Sequence, residues 1–236
     1  YEIVFGYLSS DVCSSDLEKY YSYRFPKAVS ILNYPIIEDN NLEKERNYSV
    51  KRLIYTGNVT ISRGAFNHAA IVNLAHDYEV YFIGKCEQML YDTIKLNIKN
   101  SDNIHFEYVG KYIPFNKIKK RYEEDWLAGL AIFPKTKHYE QKELTKFFEY
   151  MYEGLPIICS NFPVWKNLVE LNKCGICVDP DNLDEILSAI DYLYNNQTLA
   201  RCLGKNGRKL VQTQFNWLIE EKKLIGLYDE AINQMK

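Results

Sequence analysis

Residues 145–163 read TKFFEYMYEGLPIICSNFP, and the stretch changes its period in the middle. Phe147, Phe148 and Met151 recur at three- and four-residue spacing, as on one face of a helix, while Lys146, Glu149 and Glu153 share another face. Gly154 suits a helix end, and Pro156 prevents the helix from continuing. The residues that follow, LPIICS, form a short apolar run closed by polar residues, the signature of a buried strand. A helix passing directly into a buried strand is one step of an α/β alternation.

The same alternation extends to both sides. Candidate strands are RLIYTG (52–57), EVYFIG (79–84), HFEYVG (105–110), LAGLAIFP (127–134), LPIICS (155–160) and GICVDP (175–180). Between them lie RGAFNHAAIVNLAH, CEQMLYDTIKLNIKN, FNKIKKRYEE, LTKFFEYMYEG and VWKNLVELNK, all of helical period. Strands separated by crossover helices specify a parallel sheet, and right-handed crossovers make it a doubly wound α/β layer. Its ligand site is then expected beyond the carboxyl ends of the strands. The tail adds three helical patterns without a further strand. Asp181 or Asn182 can cap the first of these, and Asn216 the last.

Composition narrows the function classes. The 29 basic and 31 acidic side chains nearly cancel, so no global field favours nucleic acid. No apolar run approaches the ~20 residues of a membrane helix, and no leader pattern is recognised. Six cysteines, at 13, 86, 159, 174, 177 and 202, form no framework, which fits a reducing cytoplasm. Cys174 and Cys177 spell C-x-x-C, but the pair leads into an apolar run, with neither a helix start nor a second ligand pair beside it. A packing role is expected for it, and no metal.

The first post-strand loop, Gly57 to Gly64, contains small residues that allow backbone N–H groups to approach a phosphate, and Arg63 adds a fork of donors. Alone, the loop equally suits a turn at Gly57 with a solvated Arg63. Lys146 and Glu149 could likewise be a surface ion pair, and Glu153 is read as part of a solvated helix face. Among the tyrosines, Tyr55, Tyr108, Tyr112 and Tyr150 could stack on a base or sugar or serve packing alone.

TKFFEYMYEGLPIICSNFP resembles the donor-site motif of retaining glycosyltransferases of the GT-B fold, a K-x-x-E-Y-M helix followed by G-x-P-V-I and a polar loop. YTGNVTISRG is similar to that family's phosphate loop and LAGLAIFP to the strand before its donor site. CGICVDPDNLDEILSAI is similar to its last strand and helix, and FNWLIEEKKLIGLY to its closing helix, so the likeness runs in order over residues 29–235. It implies a Rossmann-like C-terminal half of a GT-B enzyme that binds a nucleoside-diphosphate sugar and needs no cofactor. Glu149 would accept hydrogen bonds from ribose hydroxyls. Arg63 would face the diphosphate, with Gly57 and Gly64 in the loop around it, and Lys146 would meet the diphosphate or the transferred sugar.

Asn58 stands where many members carry an arginine, which implies one phosphate contact fewer. Gln141 stands where many carry a second acid; it can hydrogen-bond a sugar hydroxyl but carries no charge, so the donor hexose stays open. Tyr112 is the preferred neighbour of the base, and His138 is not expected to act as a catalytic base. The implied chemistry is retaining transfer without a protein nucleophile, Arg63 and Lys146 stabilising the leaving diphosphate. The acceptor would be a glycan or a lipid-linked glycan in bacterial surface polysaccharide synthesis, with peripheral membrane association of the complete enzyme. Alternatives are a sugar-nucleotide epimerase or phosphorylase of similar architecture, and a noncatalytic nucleotide- or protein-binding module.

The resemblance covers only a donor domain, expected at 51–236, behind a remnant of an N-terminal domain and linker at 18–50 that includes the polar connector 38–49. Residues 9–17, SSDVCSSDL, resemble the translation of a common sequencing adaptor, so residues 1–17 are expected to be artefactual. Such a chain would bind nucleotide-sugar weakly without transferring it.

Overall fold

The computed structural model describes residues 29–38 and 45–234. The adaptor-like stretch and residues 39–44 of the connector lie outside the described residues. Six strands, β1 (Arg52–Thr56), β2 (Glu79–Cys86), β3 (Ile104–Val109), β4 (Ala128–Ala131), β5 (Ile157–Ser160) and β6 (Gly175–Val178), form one sheet in the order β3-β2-β1-β4-β5-β6. Every pairing is parallel. Around the sheet lie α1 (Ala65–Leu74), α2 (Gln88–Asn97), α3 (Phe115–Tyr122), α4 (Lys137–Glu140), α5 (Thr145–Glu153), α6 (Pro163–Val169), α7 (Leu183–Asn195), α8 (Gln197–Thr213) and α9 (Trp217–Gln234). Among these helices none is long and apolar enough to cross a membrane.

The sheet grows outward from β1 in one direction and then restarts at β4 in the other. Two neighbouring crossovers therefore leave on opposite faces, and a crevice opens beyond the carboxyl ends of β1 and β4. Strands β4 and β5 are buried along their whole length, which is why they read as unbroken apolar runs. Gly129 in β4 lets the Tyr150 ring lie on the sheet: a Cβ there would come within 2.5 Å of the ring. Tyr150 is thus a packing residue, with Thr56 N–H donating to its hydroxyl at 3.2 Å.

The local signals act as the residues suggest. Gly154 closes α5 at φ +70°, and its N–H and that of Leu155 bond back to Met151 O and Tyr150 O. Asn182 accepts from the Glu185 N–H at 3.1 Å and Asn216 from the Ile219 N–H at 3.3 Å, capping α7 and α9. The one-turn α4 lies inside what reads as a loop; it sets Tyr139 edge-on to Phe133 at 4.9 Å, and four residues are too few to show a period.

Glu153 corrects the reading of a solvated helix face. It is 7% exposed and pairs at 2.8 Å with Arg46, whose side chain is fully buried. Arg46 also donates to the carbonyls of Glu153, Tyr122 and Glu124, the last at 2.6 Å. One guanidinium from before β1 thus ties the end of α5 to the end of α3. The described residues before it are tied to the tail: Tyr34 packs against Phe148 and Phe215, and the Leu32 N–H donates to the buried Glu220 at 2.9 Å.

The C-x-x-C pair is structural. Cys174 lies just before β6, and the Cys177 Sγ is 3.5 Å from Cys159 Sγ on β5 rather than beside Cys174. Burial pushes the thiols of Cys159 and Cys174 up in pKa, against thiolate chemistry.

Candidate functional site

A cavity of about 220 Å³ lies at the switch point between β1 and β4. Thr56, Gly57, Asn58 and Arg63 line it from the β1 loop, and Gly84 and Lys85 from the end of β2. Tyr112, Ile113 and Ile118 line it around the start of α3, and Phe133 after β4. Leu144, Thr145, Lys146 and Glu149 complete it from the start of α5. Six residues singled out by sequence, Gly57, Asn58, Arg63, Tyr112, Lys146 and Glu149, are therefore brought together. They come from the loop after β1, the loop after β3 and the helix α5.

Lys146 is 8% exposed, its Nζ has no hydrogen-bond partner among the described residues, and that atom sits 3.8 Å from the centroid of the Tyr55 ring and 5.0 Å from that of Phe133. Burial holds its pKa well below the ordinary lysine value; the neighbouring Arg63 lowers it further and Glu149 opposes both. A Cβ at Gly57 would stand 3.9 Å from the Lys146 Nζ and 4.0 Å from Arg63 Nη1, so both cations converge on that glycine. Lys146 and Glu149 are consequently not the surface ion pair that their spacing allows.

Glu149, half-buried on the opposite side, is held by the Tyr122 hydroxyl, which donates to Oε2 at 2.8 Å. Tyr122 in turn meets Thr56 Oγ1 at 2.8 Å. Burial raises the Glu149 pKa, while the Tyr122 hydrogen bond and the Lys146 charge lower it in part. At the cavity rim Tyr112 is 73% exposed, and the Lys85 Nζ lies 4.7 Å over its ring. Tyr55, at 1% exposure, is buried beneath the cavity and cannot stack on a ligand.

Two readings of the β1 loop need correction. Four of its eight backbone donors are spent inside the protein: Gly57 N–H on Ile83 O, Val59 N–H on Lys85 O, Arg63 N–H on Thr60 O and Gly64 N–H on Ile61 O. The first turn of α5 also opens on the cavity, at Thr145 and Lys146, with no side-chain cap hydrogen bond at its N-terminus. Gly64 does not line the cavity. It is glycine because φ is +75° and the Ile132 carbonyl oxygen lies 1.9 Å from where a Cβ would be. Gln141 is exposed at the end of α4 and is also not among the residues that line the cavity. His138 is exposed and does not line it either.

Sequence reasoning missed Tyr122, Gly84 and Lys85. Gly84 carried a turn signal only, yet the Gly57 carbonyl oxygen lies 2.1 Å from its would-be Cβ, so it lets the loop close on β2. Nothing local marks Tyr122, which reaches Glu149 from a helix remote in sequence.

A doubly wound α/β domain with two cations and a carboxylate around one cavity at its switch point has that cavity where folds of this class gather ligands. The chain belongs to the glycosyl transferases group 1 family, whose profile matches residues 35–210. Solved structures of glycosyltransferases share the fold. Sucrose-phosphate synthase from Thermosynechococcus elongatus superposes with a TM-score of 0.69 at 19% identity, over 93% of this chain and 57% of that one. A glycosyltransferase from Rickettsia africae gives 0.69 at 16% identity, over 92% and 62%. Anabaena HepE in complex with UDP and glucose gives 0.63 at 10% identity, over 77% and 48%. The chain thus spans about half to three-fifths of these relatives. Among curated protein sequences none matches.

Proposed function

We propose that the cavity binds the nucleoside diphosphate of a sugar donor and that the complete enzyme transfers the sugar with retention to a glycan or lipid-linked acceptor. The observation that carries this reading is Lys146. A buried ammonium without a hydrogen bond, beside a second cation, is costly unless an anion completes the site. A diphosphate between Arg63, Lys146 and the first turn of α5 supplies that anion. Glu149, already accepting one hydrogen bond, has lone pairs left for ribose hydroxyls. The rim at Tyr112 offers an aromatic face to the base. The UDP complex of the Anabaena relative supports the same ligand class.

In the reaction the anomeric C–O bond breaks with its electron pair going to the leaving phosphate oxygen. The acceptor hydroxyl attacks from the same face and gives its proton to that oxygen. Arg63, Lys146 and the helix start, fixed before reaction, stabilise the charge as it grows.

Calorimetric titration with UDP-, GDP- and ADP-sugars tests the binding. Glu149→Ala and Arg63→Ala are each expected to weaken it by roughly tenfold or more, the range for lost hydrogen bonds to charged groups. A folded wild-type protein that binds none of the three refutes the reading. Assay of the full-length enzyme for glycosyl transfer against epimer formation separates a transferase from an epimerase of the same architecture.

A further inference from the structure

We propose that Tyr55 is the positioning residue for both cations of the cavity, holding Lys146 through its ring and the Arg63 loop through its hydroxyl. The inference rests on the diphosphate reading above and names the residue that sets its geometry. Tyr55 is 1% exposed in β1, directly below the switch point. The Lys146 Nζ lies 3.8 Å over its ring, at the distance where a desolvated cation gains most from an aromatic face. Its hydroxyl donates to Asn58 O at 2.7 Å, and Arg63 Nη1 donates to the same carbonyl at 3.4 Å. One side chain therefore fixes the height of the ammonium and the loop carbonyl against which the guanidinium rests.

The His68 ring lies 4.9 Å from the Tyr55 ring, and His68 Nε2 accepts the Ile132 N–H at 2.8 Å. Burial and the Lys146 charge keep His68 neutral, so no third cation forms below the pair. Phenylalanine would fill the same core volume. Only the tyrosine hydroxyl reaches the loop, and only an aromatic ring supports the ammonium.

The test compares wild type, Tyr55→Phe and Tyr55→Leu by titration with inorganic pyrophosphate and with UDP across a pH series. Tyr55→Phe is expected to weaken both ligands roughly fivefold, the worth of one hydrogen bond, without moving the pH midpoint of binding. Tyr55→Leu is expected to weaken both about tenfold or more and to move the midpoint to lower pH, because the ammonium loses the ring. A merely structural tyrosine would lower the melting temperature and leave the midpoint in place. Pyrophosphate affinity within twofold of wild type in Tyr55→Phe, or an unmoved midpoint in a folded Tyr55→Leu, overturns the proposal. Should Tyr55→Leu not fold, the Tyr55→Phe result decides it. Wild-type binding of pyrophosphate but not UDP refutes the nucleotide reading alone; binding of neither refutes both.

Discussion

Replacing Arg46 with methionine isolates the buried ion pair with Glu153. The guanidinium satisfies three backbone carbonyls and one carboxylate, and the Glu153 side chain is 8% exposed. Arg46→Met takes away the buried cation 2.8 Å from that carboxylate, so the loss is about 3–5 kcal/mol, the range for breaking a buried pair from one side. For a domain of this size each kcal/mol shifts Tm by about 2–4 °C, so Tm falls by roughly 10 °C. Urea unfolding followed by circular dichroism measures the loss as a change in midpoint at constant slope. The double variant Arg46→Met/Glu153→Met supplies the decisive comparison: with neither charge in the buried site it should be more stable than Arg46→Met alone. Because Arg46 also holds the Tyr122 carbonyl, and Tyr122 holds Glu149, Arg46→Met should weaken nucleotide binding as well. A loss below about 1 kcal/mol, or a double variant less stable than the single one, refutes the reasoning.

Two further outcomes follow from the site. The Lys146 pKa is depressed in the folded chain, so between the folded and unfolded values the unfolded chain holds the extra proton, and stability rises with pH through that window. Lys146→Met should flatten this rise in urea unfolding; in wild type, diphosphate binding should take up a proton and weaken as pH climbs past the ligand-free value, seen as buffer-dependent heats in calorimetry. A rise unchanged by the substitution would sink the assignment. Gly64→Ala should cost at least ~3 kcal/mol, since it combines a left-handed backbone with overlap on the Ile132 carbonyl. Near-native stability of that variant by thermal unfolding would contradict the packing described.

The sequence by itself determined the six strands, the longer helices, their order and the parallel class of the sheet, but not the one-turn α4. Those rest on local signals: the period change at Gly154, the apolar runs of β4 and β5, the caps at Asn182 and Asn216. It also marked the loops that face the cavity, because crossover handedness fixes the end of the sheet at which ligands gather. The tertiary structure alone decided what those residues meet. Arg46 reaches Glu153 across 107 positions and Tyr122 reaches Glu149 from another helix, pairings that carry no periodicity. Gly64 is required by its left-handed backbone and the approach of the Ile132 carbonyl just after β4, and Gln141 stands exposed at the end of the one-turn α4, outside the cavity lining. Lys146 shows the division most clearly: its spacing on α5 suits a solvated ion pair as well as a binding site. In the folded chain its amine is buried over the Tyr55 ring, and that burial holds its pKa well below the ordinary lysine value.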